Sequence, residues 1–131
     1  MAVGSRREAR ERALSLLYEA EAKAQSPGEV LADLPLEPEP FVVDLVMGVA
    51  KHQQRIDELI GRFAIDWVLD RMPAIDRNVL RIAVFELLEH DEVPMAAILD
   101  EAVELAKQYS TDESGRFVNG VLASVAAEVR P

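Results

Sequence analysis

The chain is expected to be an all-α protein, and two observations carry that expectation. Half of its 131 residues are hydrophobic and only 5% aromatic, with alanine, leucine and valine dominant, a composition that favours helices over sheets. Apolar residues also recur every three or four positions along nearly the whole chain, interrupted by short stretches rich in proline, serine or glycine. A chain of this length buries enough surface for a real core, so residues 1–131 read as one compact domain.

The first helix is predicted from about Ser5 to Lys23, with Ala9, Ala13, Leu16, Leu17 and Ala20 on its buried stripe and Leu14 and Tyr18 on an adjoining side. Arg6, Arg7, Arg10 and Arg12 surround its first two turns. Paired with Glu8 and Glu11 they make an ordinary solvated helix start. Cations at a helix N-terminus oppose its dipole, however, and a phosphate contact would account for them better. Ser26-Pro27-Gly28 ends this helix, and a short helical turn follows from Glu29 to Leu34. Residues 35–40 alternate proline with acidic or apolar residues and form a stiff extended connector.

From Phe41, the residues Val42, Leu45, Val46, Val49 and Ala50 open a helical pattern that Ile56, Leu59, Ile60 and Phe63 resume after a polar stretch. This is one long bent helix or two. Asp66 to Leu69 reads as a short turn of helix before Met72-Pro73, with Trp67 as a core anchor. Asp76 to Glu89 is apolar on nearly every side, the mark of a central helix. Glu86 nevertheless shares a stripe with Ile75, Val79 and Ile82, so its carboxylate is paired internally, sits at the core edge or faces a partner.

The last two helices flank the polar stretch Ser110–Gly115. Ile98, Ala102, Leu105 and Tyr109 line the first; Phe117, Val118, Val121, Leu122 and Val125 line the second. Ser110 with Glu113, or Ser114 alone, is expected to cap the second. Gly120 inside it costs about 1 kcal/mol against alanine and suggests a close neighbour.

Charge and composition exclude several classes of protein. No cysteine is present, which removes disulfides and thiolate metal sites and fits a reducing cytoplasm. No apolar run reaches the roughly 18 residues of a membrane span, and no signal-peptide core follows the N-terminal arginines. The net charge is −10, unevenly placed. Residues 1–12 hold four arginines and two glutamates, a balance of +2; ten basic and twenty-two acidic side chains leave −12 on the remainder. Such a body repels RNA phosphates, so RNA affinity must be local or lent by a basic partner. His52 and His90 sit in no acid–base or metal motif and read as solvated. Adjacent acids such as Asp57-Glu58 do not face one another on a helix, so no catalytic site, metal site or cofactor is expected.

Particular blocks say more. Glu101-Ala102-Val103-Glu104-Leu105-Ala106-Lys107, a Ser/Thr/Asp loop, and Phe117-Val118-Asn119-Gly120-Val121-Leu122 resemble the C-terminal signature of the NusB family of bacterial transcription antitermination factors. Leu80-Arg81-Ile82-Ala83-Val84-Phe85-Glu86-Leu87 followed by Val93-Pro94, and Arg6, Arg7 and Arg10 ahead of Leu17-Tyr18, resemble it too. The resemblance implies about seven helices in two small three-helix bundles, and a non-enzymatic protein. It also implies pairing with the ribosomal protein NusE, binding of single-stranded boxA RNA in ribosomal RNA leaders, and action within the RNA polymerase antitermination complex.

By the same resemblance, Arg6, Arg7, Arg10, Arg116 and Phe117 would contact RNA, and Tyr18, Arg81 and Glu86 would lie at the partner interface. Periodicity alone puts Phe117 on the core face instead, and Asn119 braces the loop or is structural. Glu8 interrupts the arginine cluster, which points to weak RNA affinity without a partner. Two other classes stay open: a NusB-like domain of a ribosomal-RNA cytosine methyltransferase, and a helical interaction module without RNA. A start at Met1, an end just past the last helix and the lack of a glycine-rich nucleotide-binding unit count against the methyltransferase. Oligomeric state, monomer or homodimer, is left open.

Overall fold

The computed structural model describes residues 3–65 and 67–131, with side chains from Arg6 onward. Six α-helices and one 3-10 turn make up the described residues, with no strand among them: α1 (Val3–Ala22), α2 (Pro27–Ala32), α3 (Pro40–Phe63), the 3-10 turn (Leu69–Arg71), α4 (Ala74–Glu89), α5 (Met95–Tyr109) and α6 (Asp112–Val129). Helices α1 to α3 form one bundle and α4 to α6 another. Helix α4 also packs on α1 and α3, so one continuous set of buried residues runs through both bundles.

Local chemistry sets the boundaries. After α1, Ala24 takes a left-handed conformation (φ 52°); the Gln25 amide donates to the Ala20 carbonyl and the Ala24 amide to that of Glu21. This is a Schellman stop with alanine where glycine is usual. Ser26 then caps α2 in a reciprocal capping box with Glu29, over 3.1 and 3.0 Å. Proline opens both α2 and α3, where its missing N–H costs nothing. Helix α3 is single but kinked, with His52 at φ −106° and ψ 15°. The polar stretch that interrupts its sequence pattern is where it bends.

Ten of the eleven residues from Asp76 to Glu86 are buried, as is Leu87, as expected of a central helix. Its C-terminus is closed from far along the chain. The Arg130 guanidinium donates to the carbonyls of Glu86, Leu87, His90 and Val93 at 2.7–3.2 Å, satisfying groups that a helix end leaves open.

Three expectations are corrected. Trp67 is 48% exposed rather than a core anchor, because the chain around it is an irregular connector; Asp66 lies outside the described residues. Gly120 is exposed, and a Cβ added there would meet nothing within 4 Å, whereas at Gly48 a Cβ would fall 2.1 Å from the Phe85 ring. The close approach therefore joins α3 to α4. The cap of α6 is Thr111, whose Oγ1 accepts from the Ser114 amide at 3.0 Å; the connection is only Ser110-Thr111, and Asp112 to Gly115 already belong to the helix.

Candidate nucleic-acid interface

The arginines of α1 point in different directions. Arg7 is half-buried; its Nη2 donates to Gln108 Oε1 at 3.4 Å and its Nε lies 3.6 Å from Glu11. Tyr109 donates its hydroxyl to Glu11 at 3.1 Å. These contacts tie the start of α1 to the end of α5. Arg6 lies toward Glu92, whose carboxyl is held below the usual range first by its hydrogen bond from His90 and in smaller part by the Arg6 charge. Arg12 is exposed beside Pro38 and Glu39.

Arg10 is different: only 3% exposed, it donates from Nε and Nη2 to the two oxygens of Glu86 at 2.8 and 2.7 Å. Its Nη1 lies 3.9 Å from Glu101, and its guanidinium sits 6.0 Å from the Phe41 ring centroid. Burial pulls its pKa down, but Glu86 and Glu101 outweigh that and hold it above the ordinary arginine value. The structure places Arg10 and Glu86, expected at the RNA and partner surfaces, inside the protein. Each is buried against the other, across 76 positions of sequence, and Glu86 at 1% exposure has no surface to offer.

Arg81 is likewise engaged inside, with Asp57 at 2.9 and 3.0 Å and Glu21 at 2.8 Å. Glu21 also holds Arg77 and accepts from Asn78 at 3.3 Å. Partial burial raises the Glu21 pKa, but Arg77, Arg81 and Asn78 bring it below the ordinary value. Arg81 joins α4 to α1 and α3; of the partner-side set, Tyr18 alone is open, at 46%.

Beyond the Ser110-Thr111 connection, Arg116 is exposed and lines a groove of about 700 Å³ with Lys107, Asp100, Glu104, Asp112 and Asn119. Phe117 is half-buried and packs against the core edge, its ring 6.2 Å from that of Trp67 and tilted 58° to it. One side of Phe117 therefore serves the core, as its periodicity predicts, and the other faces the surface. Beneath these rings a smaller cleft, about 310 Å³, reaches Asp76 and Ser114. Nothing in the spacing pointed to it, because its walls come from the connector, α4 and α6.

His90 is not simply solvated. Nε2 lies 2.6 Å from Asp44 and Nδ1 2.7 Å from Glu92. Among the described residues, no set of three or more potential ligands is placed to hold a metal, and no helix is long and apolar enough to cross a membrane.

Residues 7–127 match the profile of the NusB family. The chain belongs to the NusB family. It is 51% identical over 129 residues to the transcription antitermination protein NusB of Salinispora arenicola, covering 93% of this chain and 95% of that protein. It is 52% identical over 127 residues to the NusB of Acidothermus cellulolyticus, covering 94% and 88%. Thermotoga maritima NusB shares its fold at a TM-score of 0.86 and 34% identity, over 96% of this chain and 93% of that one. A chain from a crystal structure of the antitermination factors NusB and NusE with double-stranded RNA aligns at a TM-score of 0.82 and 27% identity, over 97% and 99%. The all-α architecture of two bundles and the family read from the sequence both stand. NusB-family members are non-enzymatic transcription antitermination proteins, and this chain is one.

Proposed function

We propose that this NusB-family protein works in the cytoplasm as an RNA-binding adaptor. It pairs with ribosomal protein NusE, holds single-stranded boxA RNA of ribosomal RNA leaders, and supports processive transcription by RNA polymerase. The observation that carries this reading is one continuous edge. Arg7 is fastened to the end of α5, which leads through Ser110-Thr111 to Arg116 and Phe117. Cations that hold phosphates and an aromatic side that accepts a base are the requirements of single-strand binding. The similar chain solved with NusE and RNA lends support from outside. Arg6, Arg7, Arg116 and Phe117 form the contact set, and Arg10 acts behind them by fixing α1 to α4. On the partner side Tyr18 is the exposed contact, with Arg81 bracing the helices beneath it.

The test is fluorescence anisotropy of labelled boxA RNA, with the protein alone and with NusE, at several salt concentrations and beside a scrambled RNA. Weak binding alone and tight, selective binding as the pair are expected. Arg7→Ala or Arg116→Ala should each lower the salt slope by about 0.7, the value of one phosphate contact on a single strand. Equal slopes for wild type and variants would remove these arginines from the interface.

A further inference from the structure

His90 closes α4, and its ring lies edge-on to Phe41 and Phe85. Nε2 is 2.6 Å from Asp44 Oδ2 on α3, and Nδ1 is 2.7 Å from Glu92 Oε1 in the connection to α5. Two carboxylates at these distances each require an N–H, and only the imidazolium carries two. A neutral ring turns a lone pair toward one of them. The other charged groups around the ring do not relieve that conflict. Glu89 faces His52 of α3 at 3.5 Å, a single carboxylate that a neutral ring serves equally well. Lys51, in the same groove, and Asp91 are exposed to solvent. Arg10, beyond Phe41, is committed to Glu86 and Glu101. Arg130 donates to the His90 and Val93 carbonyls, both at 2.7 Å, which fixes the backbone on either side of Glu92 and leaves its side chain free to turn.

We propose that His90 is a protonation switch on RNA binding: while charged it holds Glu92 away from Arg6, and once neutral it frees Glu92 to pair with Arg6 and withdraw that cation from RNA. This rests on the RNA-binding reading above, in which Arg6 meets a phosphate. Glu92 is the carboxylate that gives way. Its side chain is one methylene longer than that of Asp44 and more exposed, 61% against 48%, and it sits in a turn, whereas Asp44 is carried by a helix. The neutral ring then keeps its one N–H on Asp44. Arg6 is within reach of the freed side chain, since its charge already acts on Glu92. Burial lowers the pKa of the ring, but Glu92 and Asp44 outweigh it, so the switch turns only as pH rises through a value above the ordinary 6.5. Acid therefore favours RNA, and a rise in pH weakens it. The acidic body sharpens the effect, because few exposed cations stand against it.

The test is anisotropy of labelled boxA RNA with the protein–NusE pair at about pH 6 and about pH 8.5, each over a salt series. From the lower to the higher pH the wild-type salt slope should fall by about 0.7, one single-strand phosphate contact, and the affinity by about fivefold, the reach of one exposed ion pair. Glu92→Gln, an exposed and nearly isosteric change, should keep the full slope at both pH values. His90→Gln should show the reduced slope at both, and His90→Arg, a permanent cation, the full slope at both. Arg6→Ala should lose about 0.7 of slope at the lower pH and nothing at the higher. A wild-type slope that is the same at both pH values overturns the switch and leaves the RNA reading intact. So does a pH dependence that Glu92→Gln retains, which would assign the effect to the imidazolium charge alone or to NusE. No anisotropy change at either pH sinks both.

Discussion

Arg10 and Glu86 illustrate what a single residue's surroundings decide. Glu86 falls on an apolar stripe, and the sequence alone demands that something answer its charge; the answer is a two-pronged pair with an arginine on another helix. Removing one partner leaves a buried charge without compensation, which typically costs about 3–5 kcal/mol. Glu86→Ala should therefore shift the urea midpoint sharply, and pairing it with Arg10→Met should recover most of the loss. A single-variant cost under about 1 kcal/mol would mean that the pair does not hold α1 on α4. The demand for a partner was legible in the chain, but its identity was not. Arg10 looked like its neighbours Arg6 and Arg7, and only the crossing of α1 over α4 separates them.

At the scale of elements, the helices themselves were legible because their apolar spacing is regular; an interruption in α3, as a bend or a break, and the central place of α4 followed from it, and the structure shows the bend. What escaped were features that depend on irregular backbone or distant partners. Trp67 sits in a connector that no periodicity describes. Gly48 and Gly120 look alike in sequence, and only the facing Phe85 distinguishes them. His90, at the end of α4, belongs to the same category. Its ring meets Phe41 and Phe85 edge-on and bridges Asp44 of α3 to Glu92. Burial lowers its pKa, yet the two carboxylates outweigh burial and raise it above the ordinary 6.5. A raised pKa in the folded state means that the stabilisation is fully present below about pH 6.5 and is lost as pH rises through the folded value. The melting temperature should therefore fall between about pH 6 and 8 by more in the wild type than in His90→Gln. Parallel profiles would assign the ring a packing role only.

Over the whole molecule, charge governs how partners arrive. The body carries the net −12 that repels free RNA, and the +2 end at α1 is partly neutralised, because Arg10 already faces Glu86 and Glu101 of that body. The exposed cations of the proposed edge are too few to overcome that field at physiological salt. A basic protein is drawn to the same field that repels RNA. The order of assembly follows: NusE should associate first, and the pair, with its charge offset, should then take RNA. In stopped-flow measurements the association rate with NusE should fall roughly tenfold between about 50 and 300 mM salt, with the dissociation rate changing much less, since screening acts on the approach and not on the packed contact. RNA should show the reverse response to the partner, with association too slow to resolve until NusE is present. A salt-independent NusE rate would place recognition in shape and apolar contact around Tyr18. The acidic surface would then serve to reject RNA that arrives without its partner.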